Sequence, residues 1–194
     1  MIKLRSRSIL FIVALSAALL LPLFSIGSSV SPAVELENRP TLFSRPLRLT
    51  DVSVPNNSQY RRSDYLFTIE IPAAAEQPLQ TVVFAQVEGA DYPRYSARRS
   101  RAYAQSIEEG DRREALNITA TNSTDDRTVT VEFDPPVQPG HQITIALNSR
   151  NPRDGIYIYE VTGSPPDVTG PGQRIGIGRL QFYQREDRQY RGFL

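Results

Sequence analysis

From Leu47 onward, apolar and polar residues alternate with a period of two, which is the spacing of β-strands that bury one face. In the run DYLFTIEI, one face carries Tyr65, Phe67, Ile69 and Ile71, and we expect these residues to lie in the core. Other runs place further apolar sets on one face each: Val129, Val131 and Phe133; Ile143, Ile145 and Leu147; and Leu79, Val83, Ala85 and Val87.

The last run, RIGIGRLQFY, changes phase along its length. It begins with Ile175 and Ile177 on one face and continues with Leu180 and Phe182 on the other. Because glycine inside a strand is typical of a bulge, the change of phase predicts a β-bulge at Gly178.

Turn signals separate the runs. Pro139-Gly140 predicts a type II turn in which the glycine has a positive φ, and Asp125-Asp126 predicts a hairpin turn before the run that starts at Thr128. Six to eight short strands with such frequent turns predict an all-β fold, an immunoglobulin-like antiparallel β-sandwich.

The alternation stops between Ala90 and Ala115, where arginine and tyrosine are frequent. This segment predicts either a long loop or a loop with a short helix over 96–105. Long connections in compact domains are uncommon and often functional, so we expect any binding function to lie here.

The N-terminus has the order of a secretory signal peptide. Lys3, Arg5 and Arg7 precede an uninterrupted apolar stretch over 9–24, and small residues follow. A helix of these sixteen residues reaches about 24 Å, short of the roughly 30 Å core of a bilayer. We expect a cleaved signal peptide over 1–33, a single β-sandwich domain over 34–184 and a polar C-terminal tail over 185–194. An uncleaved membrane anchor is the alternative.

Removal of the signal peptide changes the charge balance. The chain has 22 basic and 21 acidic residues, and 1–33 contains three of the basic residues and none of the acidic ones. The remainder therefore has 19 basic and 21 acidic residues, a net charge of −2, and we expect no nucleic-acid binding. The chain contains no cysteine, which excludes disulfides and lipid attachment to cysteine.

Six residues of the arginine- and tyrosine-rich segment form the candidate partner-binding site. Guanidinium groups and phenol rings together suit anionic sugars, phosphate groups or a protein partner. The alternative is a solvated loop whose arginines pair with Glu108, Glu109 and Asp111. The six candidate residues are Tyr92, Tyr95, Arg98, Arg99, Arg101 and Tyr103.

We expect no catalytic residues, no cofactor and no metal. His141 is the only histidine, and its place directly after Pro139-Gly140 is that of a surface residue beside a turn. Asn122, Thr124 and Asp126 offer alternating oxygen ligands, but the glycine and the distal glutamate of a calcium-binding loop are missing.

Several blocks follow one another in order between Val34 and Tyr183, namely RPLRLTDV, PLQTVVFAQVEGAD, FDPPVQPGHQITIAL, NPRDGIYIYEVT and GIGRLQFY. Together they resemble an exported cyanobacterial family, domain of unknown function 2808. The resemblance implies an extracytoplasmic, all-β domain with no assigned activity and no catalytic residues to carry over.

These observations favour an exported envelope protein, periplasmic or secreted, whose domain is a non-enzymatic binding or structural module. Its partner would be an unknown envelope protein or an anionic polymer, and its contact with the membrane would be transient, through the signal peptide. A membrane-tethered domain and a cryptic hydrolase are the alternatives.

The signal peptide can be tested by the processing of the exported protein. Since the apolar stretch is too short to anchor, the mature chain is expected to begin at or near Val34, after the small pair Ser31 and Ala33, and to be released by osmotic shock. N-terminal sequencing of the released protein measures this. Recovery of protein that still contains Met1, and only in detergent extracts, contradicts it.

Overall fold

The computed structural model describes residues 42–108 and 112–184, which form two antiparallel β-sheets. The predicted signal peptide over 1–33 and the predicted tail over 185–194 lie outside the described residues. Eleven strands lie within the described residues: β1 (Arg48–Ser53), β2 (Arg62–Ile71), β3 (Leu79–Glu88), β4 (Arg94–Tyr95), β5 (Arg101–Ser106), β6 (Arg113–Leu116), β7 (Ile118–Ser123), β8 (Thr128–Val137), β9 (His141–Arg150), β10 (Gly155–Ser164) and β11 (Gln173–Phe182).

The strands of the first sheet follow the order β1-β2-β9-β5-β6, and the short strand β4 also pairs with β9. The second sheet has the order β11-β10-β3-β8-β7. Short 3-10 helices occur at Ala73–Ala75 and Ala97–Arg99. In the part of the chain that the structure describes, no helix has the length and apolar character to cross a membrane.

The two sheets pack face to face over one core. The ring of Phe67 in the first sheet lies 4.6 Å from that of Phe84 and 5.9 Å from that of Tyr159, both in the second sheet, measured between ring centroids. Three of the predicted inward sets, those of β2, β8 and β9, are buried throughout. The predicted immunoglobulin-like β-sandwich is therefore confirmed.

The predicted face of β3 is wrong beyond its first residue. Leu79 is buried as expected, but Val82 and Phe84 then face the core, and Val87 is 53% exposed. The pairing of β3 with β8 shifts between Leu79 and Thr81, and this irregularity reverses the phase of the strand. Because both faces of this run carry apolar residues, the alternation alone did not distinguish them.

The predicted bulge in β11 exists, but it does not lie at Gly178. The pairing of β10 with β11 shifts between Val161 and Thr162, which are opposite Gly176 and Arg174. Gly176 and Gly178 instead face the first sheet at close range. A Cβ atom on Gly176 would lie 2.8 Å from the Cβ of Leu49, so the absence of a side chain lets β1 and β11 approach.

The segment from Ala90 to Ala115 is not one long loop, and of the predicted helical range 96–105 only Ala97–Arg99 is helical, as a 3-10 helix. Of its 23 described residues, 11 lie in strands: β4, β5 and the start of β6. The buried face of β5 consists of Ala102 and Ala104. Alanine has little preference for strands, so this short alternation was missed.

The positive φ predicted for Gly140 and the hairpin turn predicted at Asp125-Asp126 are confirmed. Gly140 has a φ of 84°, and its amide donates to the Ile71 carbonyl at 2.9 Å. Asp125-Asp126 lies in the hairpin turn between β7 and β8.

The core can be tested at two neighbouring residues of β8. Phe133 is fully buried and Glu132 is exposed. Phe133→Ala is therefore expected to lower the free energy of unfolding by about 3–5 kcal/mol, and Glu132→Ala by less than about 0.5 kcal/mol. Urea denaturation measures both, and equal effects at the two positions contradict the register.

Buried tyrosines give the core a dependence on alkaline pH. Burial raises the pKa of Tyr65 and Tyr159 well above the usual value of about 10. The Tyr65 hydroxyl makes no hydrogen bond of good geometry among the described residues, although the Ser149 hydroxyl on β9 lies near it. Both phenols are therefore neutral in the folded state where an unfolded tyrosine already ionises.

The stability that these two neutral tyrosines contribute is fully present below about pH 10, and it is lost as the pH rises through their pKa values in the folded state. The free energy of unfolding is therefore expected to fall as the pH rises above about 10. In Tyr65→Phe this fall should be less steep by about 1.4 kcal/mol per pH unit, because one ionisable phenol is missing. Below that pH the variant should match or exceed the wild type, since it removes a hydroxyl without a partner. Urea denaturation of the wild type and of Tyr65→Phe at about pH 8 and about pH 11 measures this difference. An equal loss of stability in both proteins between the two pH values contradicts the role of Tyr65.

Candidate functional site

Three segments distant in sequence meet at one end of the first sheet: 60–64, 91–101 and 148–154. They meet because Arg62 of β2 is paired with Arg150 of β9, and Arg150 with Arg94 of β4. Together the segments contain eight arginines and three aspartates, a surplus of five positive charges. We call this region the basic end.

The three paired arginines form a row across neighbouring strands, the arginine row: Arg62, Arg150 and Arg94. Residues directly opposite in antiparallel strands point to the same side, with Cα atoms about 4.5–5.5 Å apart. All three arginines are exposed on the outer face of the sheet. Like charges in this arrangement repel one another, so the row destabilises the isolated sheet unless an anion neutralises it.

Asp64 lies on β2, two residues from Arg62. It accepts from Asn148 Nδ2 at 2.6 Å and pairs with Arg101 Nη2 at 3.5 Å, while Arg62 Nη1 donates to Asn148 Oδ1 at 3.1 Å. Among the described residues, no carboxylate forms an ion pair with Arg62, Arg94 or Arg150. The arginine row therefore keeps most of its positive charge.

A groove of about 390 Å³ borders the arginine row. Two of its lining residues contact each other. The Arg150 guanidinium lies 5.9 Å from the centroid of the Tyr60 ring, and Arg150 Nε donates to the Tyr60 carbonyl at 3.2 Å. The groove is lined by Tyr60, Asp91, Tyr92, Pro93, Arg94, Arg150, Asn151 and Pro152.

Hydrogen bonds hold the groove in shape. Asn151, only 2% exposed, donates through Nδ2 to the carbonyls of Asn56 at 2.8 Å and Ser58 at 2.7 Å. On the other side, the Asp91 carboxylate accepts from the Arg153 amide at 3.2 Å. Asn151 Oδ1 is buried without a partner among the described residues. The groove is thus largely preformed.

Two of the six predicted site residues use their hydroxyl groups inside the domain. Tyr92 donates to the Thr128 carbonyl at 2.9 Å and contacts Asn122 Oδ1, and burial raises its pKa to about 12. Tyr95 donates to the Tyr159 hydroxyl at 3.0 Å, and burial raises its pKa as well. These hydroxyls attach the segment to the second sheet, and only Tyr92 lines the groove.

The other four predicted site residues face outward. Arg98 and Arg99 are exposed on the 3-10 helix between β4 and β5, without an ion pair in the described part of the chain. Arg101 lies on the outer face of the first sheet beside Asp64, and Tyr103 lies farther along that face, opposite Thr144.

The alternative prediction pairs these arginines with Glu108, Glu109 and Asp111. None of the described ion pairs contains Glu108. Glu109 and Asp111 lie outside the described residues.

Sequence reasoning did not identify Tyr60, Arg62 and Arg150 as site residues. Arg62 is the first residue of β2 and Arg150 is the last residue of β9, each on the polar face of its strand. Such a position predicts that each side chain is exposed, but not that the two lie close to each other. Only the pairing of β2 with β9 brings them together.

The residues considered for catalysis and calcium binding lie elsewhere. His141 begins β9, and its Nδ1 lies 3.0 Å from the Gln138 carbonyl within the turn. Asp126 accepts from the Ser123 hydroxyl at 2.7 Å in the hairpin turn. In residues 42–108 and 112–184, no cluster of three or more histidine or acidic residues could hold a metal ion.

Solved structures similar to this chain are distant in sequence. BslA, a bacterial hydrophobin, is 15% identical over 74% of this chain and 97% of its own, with a TM-score of 0.42. The C-terminal domain of the Streptococcus pyogenes antigen I/II-family protein AspA is 11% identical over 71% of this chain and 46% of its own, with a TM-score of 0.45. An uncharacterized Nocardia farcinica protein with an immunoglobulin-like fold is 18% identical over 68% and 95%, with a TM-score of 0.39.

These likenesses give no information about function. No curated protein matches the chain in sequence. The model of one family, described as a protein of unknown function (DUF2808), matches residues 40–182, and this confirms the family predicted from the sequence blocks. The chain therefore belongs to the DUF2808 family.

Proposed function

We propose that this protein is an exported, non-enzymatic binding module of the cell envelope, and that it binds an anionic partner through the basic end. Export is supported by the N-terminal order of basic, apolar and small residues. The absence of cysteine is compatible with an envelope domain that is stabilised by packing alone.

The observation that carries the proposal is the concentration of positive charge. The basic end has a surplus of five positive charges, whereas the remaining 11 basic and 18 acidic residues of 34–194 have a net charge of −7. A domain with this asymmetry attracts anions to one end and repels them elsewhere. Binding and orientation of an anionic partner then follow from the same charge distribution.

The exposed arginines give this end its binding capacity. Arg98 and Arg99 project from a short helical turn rather than from a paired strand, and they have no ion pair among the described residues. Guanidinium groups that are free of internal partners can form bidentate, charge-assisted hydrogen bonds with carboxylate, sulfate or phosphate groups.

The proposal is tested with a triple variant at the predicted arginines, Arg98→Gln, Arg99→Gln and Arg101→Gln. Binding of the full chain to immobilised polyanions, namely dextran sulfate, polygalacturonate and polyglutamate, is measured at low and at about physiological salt, where charges are screened over about 8 Å. Binding is expected to fall at least about tenfold in the variant, because each lost charge-assisted contact contributes roughly 1.5–3 kcal/mol.

A matched control removes three exposed arginines away from the basic end, Arg45→Gln, Arg48→Gln and Arg179→Gln. This control has the same net charge as the test variant and is expected to bind like the wild type. Thermal stability should change little in either, since exposed charges contribute little to folding. Equal loss of binding in the two triple variants, or no binding by the wild type, contradicts the proposal.

A further inference from the structure

We propose that the ligand of the basic end is an acidic polysaccharide, whose carboxylate or sulfate groups bind the arginine row while a sugar ring lies in the adjacent groove against Tyr60. This inference rests on the proposed function and specifies its ligand class. It uses residues that are distinct from Arg98, Arg99 and Arg101.

The arginine row is suited to a ligand with repeated charges. Neighbouring strands lie about 4.8 Å apart, so the three Cα positions of Arg62, Arg150 and Arg94 extend over about 10 Å along one line. A linear polyanion presents its acidic groups at intervals along one direction. Several of them can therefore contact the row at once, and their charge relieves the repulsion among the arginines.

The exposed ring of Tyr60 is the feature that favours a sugar. Tyr60 is 53% exposed and has a φ of 59°, a conformation that is uncommon for a bulky residue. The Arg150 side chain donates to the Tyr60 carbonyl, and the Tyr60 amide donates to the Asn151 carbonyl at 3.2 Å. The fold thus holds an aromatic ring at the groove in a strained conformation that core packing does not require.

The remaining groups of the groove match the mixed polarity of a sugar. The C–H face of a pyranose packs on an aromatic ring, and its hydroxyls need both donors and acceptors. Arg94 and Arg150 supply donors, and the Asp91 carboxylate supplies an acceptor in the same groove. The volume of about 390 Å³ lies within the range of small-molecule sites, about 300–1,000 Å³.

An acidic protein segment and an anionic membrane fit the groove less well. Either would contact the arginines, but neither requires an aromatic ring beside an acidic acceptor in a concave site. A membrane surface is broad, whereas the groove is a small concavity of about 390 Å³. These two partners are therefore outcomes of the test rather than proposals.

The experiment measures by calorimetry the affinity of the full chain for four soluble polymers and for vesicles that contain phosphatidylglycerol. Polygalacturonate carries carboxylates, dextran sulfate carries sulfates, dextran is neutral, and polyglutamate is an acidic polymer without sugars. The wild type is expected to bind either or both acidic polysaccharides, and to bind polyglutamate at least about tenfold more weakly. The comparison of carboxylate with sulfate identifies the acidic group. Neutral dextran should not bind.

Two changes test the site itself. The double variant Arg94→Gln and Arg150→Gln is expected to weaken polysaccharide binding at least about tenfold. Tyr60→Asn removes the aromatic ring, while asparagine tolerates the positive φ, and this variant is expected to bind the polysaccharide about fivefold or more weakly. Tyr60→Phe keeps the ring and is expected to bind the polysaccharide like the wild type. A Tm close to that of the wild type shows that each variant is folded. The control pair is Arg48→Gln and Arg179→Gln, which should bind normally.

The outcomes separate this inference from the proposed function. Suppose that polyglutamate or anionic vesicles bind as tightly as the polysaccharides and that Tyr60→Asn has no effect on binding. This result overturns the assignment of the ligand as a polysaccharide, but it still supports a basic end that binds anions. A wild type that binds no polyanion overturns both. Normal polysaccharide binding in the double variant overturns the groove as its site.

Discussion

The inner faces of the two sheets pack against each other, and this contact fixes the register of the strands. Phe67 is central to it, because its ring contacts Phe84 and Tyr159 across the interface. The chain has no cysteine, so burial of these apolar side chains, rather than covalent links, holds the sheets together. Where β1 meets β11, Gly176 allows an approach to Leu49 that a side chain would obstruct.

This inner packing also explains how an unfavourable arrangement of charge persists on the outside. A slip of one residue between β2 and β9 would turn Phe67 from the core to solvent, so the register is strongly determined. The same register places Arg62 opposite Arg150, whatever their repulsion costs. The core outweighs this repulsion, because one fully buried aromatic side chain stabilises the fold by more than a pair of exposed like charges destabilises it. The positive row is thus a stable feature of the unbound domain.

Prediction from the sequence succeeded where only one face of a strand is apolar. The inward residues of β2, β8 and β9 were identified correctly for this reason. It failed in β3, where Val82 and Val83 make both faces apolar, and in β5, where Ala102 and Ala104 are too small to give a strong signal. For β11 the phase change was correct and its position was not, because Gly176 and Gly178 have no side chain whose direction the pattern could show.

The alternation of apolar and polar residues is enough to predict the all-β class and most of the core, since a period of two assigns every side chain of a strand to one of two faces. The sequence by itself also located the arginines of the candidate segment and the family. The tertiary structure alone decided which arginines act together. Tyr60, Arg94 and Arg150 belong to three separate segments, and their proximity depends on the pairing of β2, β9 and β4. That pairing is selected by contacts across the whole core, and no local pattern of residues encodes it.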